Sequence, residues 1–65
     1  MWEEFEEWWG KKLVCKAGFF HGVVTSLRNA WYIVEGGEVV SRGIGKDIED
    51  AKNAVELRMA ALCGE

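Results

Sequence analysis

At 65 residues the chain has room for one small domain, and a domain of this size buries only about 60% of the surface its unfolded chain exposes. Hydrophobic residues make up 49% of it, four of them Trp, which excludes the composition of a disordered chain. No apolar run approaches the roughly 20 residues that span a bilayer, and a net charge of -3 disfavours simple binding to a phosphate backbone.

The first residues, Met-Trp-Glu-Glu-Phe-Glu-Glu, are acidic where a secretory signal is basic. We therefore expect a complete cytoplasmic mini-protein, one compact domain over residues 1–65, with no membrane contact. Cys15 and Cys63 are too few for a disulfide framework and, with His21 as the sole His, too few for a zinc site. Reduced, mostly buried thiols are expected, with no metal and no cofactor. Charge falls in blocks. Glu3, Glu4, Glu6 and Glu7 open the chain, and Lys11, Lys12, Lys16 and Arg28 follow with no acid among them. Glu35, Glu38, Asp47, Glu49 and Asp50 then outweigh Arg42 and Lys46, so faces of opposite sign are expected.

Residues 2–9 predict a short N-terminal helix. Trp2, Phe5 and Trp9 share a stripe at i, i+3 and i+7, and Gly10 follows where a helix ends. Residues 12–20 alternate, placing Leu13, Cys15, Ala17 and Phe19 on one side of a strand. His21-Gly22 offers a turn into a second strand from Val23 to Leu27, although residues 19–29 fit an irregular segment as well. Arg28-Asn29 forms the next connection. Trp31–Glu35 and Glu38–Arg42, joined by Gly36-Gly37, predict a two-residue hairpin. Its register sets Val34 against Val39, Ile33 against Val40, Trp31 against Arg42 and Glu35 against Glu38. Asp47 then caps a helix with Asp50 three residues on, and Ile48, Ala51, Val55, Met59 and Leu62 form its apolar stripe. The expected fold is α+β: a short N-terminal helix, an antiparallel meander of three to four strands, and a long C-terminal helix on one face of the sheet.

Enzymatic constellations are nearly absent. His21 and Cys15 are the one base and nucleophile close in sequence, and neither an orienting group nor an oxyanion site accompanies them. Gly43-Ile44-Gly45-Lys46 lacks the spacing of a phosphate loop and reads as a strand-to-helix turn. No enzyme activity is expected. The carboxylates are the more informative feature, because neighbouring Glu on a helix and facing Glu35 and Glu38 on a hairpin both break local rules. Rigidly held acids fit a basic channel built for DNA. The partner-binding candidates are Glu3, Glu4, Glu6, Glu7, Glu35, Glu38, Asp47, Glu49 and Asp50, with Trp8 and Phe20 as exposed aromatic anchors.

From Trp31 to Leu62, the Trp-led strand, glycine turn, Val-Val-Ser-Arg-Gly strand and Asp-Ile-Glu-Asp-Ala-Lys-Asn-Ala-Val-Glu helix resemble small phage and prophage proteins. With its Trp-Glu-Glu-Phe-Glu-Glu-Trp-Trp opening, the whole chain resembles small anti-CRISPR proteins, inhibitors of type I-C systems in particular. A monomer is expected, and the resemblance implies a non-enzymatic inhibitor in the cytoplasm of an infected bacterial host. It would bind a Cas protein of the type I surveillance complex, the PAM-reading large subunit, and exclude target DNA without contacting nucleic acid itself. Two other classes fit the residues: a nucleic-acid-binding module using Lys11, Lys12 and Lys16, and a structural or oligomerising phage accessory protein.

Overall fold

The computed structural model describes residues 2–64. Five strands follow one another in an antiparallel meander: β1 (Trp2–Glu7), β2 (Gly10–Ala17), β3 (Phe20–Thr25), β4 (Ala30–Glu35) and β5 (Glu38–Ile44). They are neighbours in the sheet in chain order, and α1 (Ile48–Cys63) packs across β3, β4 and β5 on one face. The α+β class is as expected, but the sheet has five strands and the expected N-terminal helix is the outer strand β1. The reason lies in its neighbour. Two helical turns cannot hold themselves in water, whereas an extended β1 pairs along its whole length with the lysine-bearing β2, from Trp2 opposite Cys15 to Glu7 opposite Gly10.

The turns follow backbone chemistry. Gly36 (φ 59°) and Gly37 (φ 86°) take the left-handed conformations that a two-residue hairpin needs, as their sequence predicts. Gly18 (φ 61°), the one left-handed residue of the pair, begins a second two-residue turn with Phe19, so the chain reverses there and not at His21-Gly22, which lie inside β3. Residues 20–25 are thus a strand. The β4–β5 register holds next to the turn, with Glu35 opposite Glu38 and Val34 opposite Val39, but a bulge then shifts it. Ile33 faces Ser41 and Trp31 faces Gly43, not the expected Val40 and Arg42. The extra residue lets the Trp31 indole lie over a glycine, where a Cβ on Gly43 would come within 2.6 Å of its Cζ2. It also turns Arg42 to the other face, beside Tyr32.

The core joins Leu13, Val24 and Ile33 of the sheet to Ala51, Val55 and Met59 of α1, the helical stripe legible in the sequence. Asp47 Oδ1 accepts the Asp50 amide at 2.8 Å, so the predicted cap forms. The helix meets β3 at Gly22, where a Cβ would overlap Val55 Cγ1 and come within 2.7 Å of Met59 Sδ. Cys15 is half-buried, whereas Cys63 is exposed, contrary to the expectation of buried thiols. Among the described residues, no helix is long and apolar enough to cross a membrane.

Gly22→Ala therefore forces the helix off the sheet, and Val55, β-branched and fully buried, has little room to yield. The expected loss is about 1–3 kcal/mol, with Tm falling roughly 4–8 °C per kcal/mol, measured by thermal unfolding followed by circular dichroism.

Candidate functional site

Residues directly opposite in an antiparallel sheet share a face, so the register sorts the charges. On the helix side, one row runs Glu4, Leu13, Val24, Trp31, Gly43 and another Trp2, Cys15, Gly22, Ile33, Ser41. The uncovered side carries Glu3, Val14, Val23, Tyr32, Arg42, and below it Lys16, His21, Val34, Val39. The four N-terminal Glu are split by the pleat. Glu4 and Glu6 lie on the helix side with Trp2, Glu3 and Glu7 on the uncovered side with Phe5.

Strand pairing brings the acidic block onto the basic one. Lys11 stands opposite Glu6, and its Nζ is 3.0 Å from Glu4 Oε2. Lys12 reaches over the Phe5 ring, 5.7 Å from its centre. The hydrogen bond to Glu4 and the nearby charges of Glu4 and Glu6 raise the Lys11 pKa above its ordinary 10.5. Lys11 points to the helix side and is paired, while Lys12 and Lys16 are on the other face, so the three candidate nucleic-acid lysines do not converge.

The second acidic block divides too. Glu35 and Glu38 face each other beside the β4–β5 turn, at the sheet end where α1 finishes. Asp47, Glu49 and Asp50 surround the start of α1, at the opposite end. Asp47 is occupied as the cap, and Asp50 Oδ2 accepts the Lys46 amide at 2.9 Å. Glu49 lies 3.5 Å from Lys52 Nζ. Both aspartates thus serve the fold directly.

One acid escaped sequence reading. Glu56 Oε2 accepts the Trp2 indole N–H at 2.8 Å, and Lys52 sits over the same ring at 5.8 Å. Residues 51–65 balance in charge and hide it by arithmetic. The helical spacing of Glu49, Lys52 and Glu56 beside the buried stripe was the available signal.

Taken together, the helix side holds Glu4, Glu6, Glu35, Glu38, Asp47, Glu49, Asp50 and Glu56 against Lys11, Lys46, Lys52 and Arg58. The uncovered side holds Glu3 and Glu7 against Lys12, Lys16 and Arg42. The carboxylate surplus belongs to the helix side. Among the described residues, Glu6, Glu35, Glu38 and Glu56 make no ion pair.

Trp8 is 95% exposed at the β1–β2 turn, as an anchor must be. Phe20 is not: it packs against the core, and Phe19, 84% exposed in the turn before it, is the outward ring. The reversal at Gly18-Phe19 puts Phe20 on the helix-facing row, which explains the exchange. Trp8 and Phe19 lie at opposite ends of the sheet and form no common patch. Cys15 faces the helix while His21 faces away, so they cannot act as a nucleophile–base pair. Comparison with known protein families, curated proteins and solved structures finds no match.

A raised lysine pKa means the folded state holds the proton more tightly. Its contribution to stability is full below the ordinary lysine value and is lost as pH rises through the folded one. The Nζ of Lys11, titrated by heteronuclear NMR, is expected to have a midpoint above 10.5 that falls toward 10.5 in Glu4→Gln.

Proposed function

We propose that this chain is a non-enzymatic inhibitor that binds a DNA-handling protein through its acidic helix side. Its target is a Cas subunit of a type I surveillance complex, the PAM-reading large subunit, and it acts by holding the place of target DNA. The observation that carries this reading is the carboxylate surplus on the helix side. Glu4 and Glu6 stand on a paired strand and Glu49 and Glu56 on the helix, so the acids are fixed by backbone hydrogen bonds. A groove that holds DNA offers Lys and Arg to phosphates, and those contacts dominate its affinity. Carboxylates on a rigid surface satisfy the same cations, speed encounter and lose strength with salt. The sequence resemblance to small anti-CRISPR proteins supports the choice of target.

The test is a gel shift of duplex target DNA by a purified type I-C surveillance complex. Adding the protein is expected to abolish the shift, while the protein alone shifts nothing. Combined Glu6→Lys, Glu35→Lys and Glu38→Lys reversal, at helix-side acids that make no ion pair among the described residues, should weaken inhibition at least about tenfold, since close interfacial charges couple by more than 1.4 kcal/mol. Glu3→Lys with Glu7→Lys, on the other face, should leave it within about threefold. An undisturbed shift, or equal loss from both sets, overturns the reading.

A further inference from the structure

The uncovered face carries a knob and a hollow at matching places on its two outer strands. Phe5 on β1 is 44% exposed. Between β4 and β5 lies a hollow of about 530 Å³, lined on this face by Ala30, Tyr32, Val39, Arg42 and Ile44, the last 71% exposed. One row across the face runs from Glu3 on β1 through Val14, Val23 and Tyr32 to Arg42 on β5. The next row starts with Phe5, Lys12 and Thr25 and finishes with Ala30 and Ile44. Opposite charges thus sit at the two ends of one row, equally far from the central strand β3.

We propose that this face binds a second copy of the chain about a two-fold axis running parallel to the strands above β3. Such a rotation keeps each row at its height and exchanges β1 with β5 and β2 with β4. Phe5 of each copy then lies over Ile44 and the hollow of the other, Glu3 over Arg42, and Val14 over Tyr32. Val23, buried on this face, meets its own counterpart. Every contact occurs twice, as an isologous interface requires. Face-to-face sheets of this kind pack about 10 Å apart with nearly aligned strands.

The size of the face sets the strength. Five strands about 4.8 Å apart and about 20 Å long project roughly 480 Å². A standard stable interface buries about 800 Å² per partner, so the dimer belongs to the micromolar-to-millimolar range and comes apart on dilution. A nucleic-acid strand suits this face less well, because Lys12 already rests on Phe5 and Glu3 and Glu7 share the surface. Both helix sides point outward in the dimer, so this inference stands or falls separately from the inhibitory reading.

Sedimentation velocity of the full chain, from micromolar to millimolar concentration, should show a monomer passing to a dimer. Arg42→Glu should weaken association at least about tenfold by facing two carboxylates, and circular dichroism should show it folded. Three strands separate Glu3 from Arg42 within one copy, so the combined Glu3→Arg and Arg42→Glu swap can restore association only between copies. Recovery to within about threefold of the unmodified chain is expected. A monomer at every concentration, or a swap no better than Arg42→Glu alone, overturns the proposal. So does a monomer that binds a single-stranded oligonucleotide through Lys12, Lys16 and Arg42 in fluorescence anisotropy.

Discussion

The close seat of α1 on Gly22 is the contact on which the rest of the molecule depends. A chain of 65 residues has one small core, and here that core exists because a glycine in β3 lets Val55 and Met59 reach the sheet. Helix and sheet together bury Val24, Ile33 and Val55 completely. No disulfide supplements them, since both cysteines are free. Because one helix covers one face of a five-stranded sheet, the other face must remain open. The pleat, interrupted by the bulge at Val40 in β5, then assigns alternate strand residues to two surfaces of different character.

How far this was legible depended on whether the deciding interaction was local. The helix was readable because its cap, apolar stripe and closing glycine all lie within one segment. The Gly36-Gly37 hairpin was readable for the same reason. The N-terminal segment was not, since Trp2, Phe5 and Trp9 satisfy a helical period and the same residues also accept a strand. What settles it is the partner, β2, whose Lys11 and Lys12 answer Glu4 and Phe5 across the register. No single-segment reading contains that pairing. The bulge between the Ile33 and Val34 pairings was equally hidden, because the contact it allows is tertiary: the Trp31 indole lies against Gly43.

The candidate site shows the same division. The blocks of like charge are plain in the sequence, and so is the expectation of faces of different sign. Their arrangement was not, because a strand sends neighbouring Glu to opposite sides where a helix would keep them together. Glu56 was concealed by a segment of zero net charge, and Phe20 changed places with Phe19 when the turn moved by a few residues. In each case the residue type was readable while its direction was set by a register or a turn.

The acids differ in what ties them to the fold, and this decides which of them are free to serve a partner. Asp47 and Asp50 satisfy backbone amides at the start of α1, so losing them would loosen the helix before it touched any interface. Glu4 and Glu49 hold lysines, and Glu56 anchors Trp2 at the sheet edge. Among the described residues, Glu35 and Glu38 make no ion pair. They face each other across a turn that Gly36-Gly37 would form without them, and like charges in that position cost a few tenths of a kcal/mol or more. A domain with so little core carries that cost with no structural return. Under the inhibitory reading proposed above, Glu35 and Glu38 are therefore the carboxylates that the fold itself leaves to a partner.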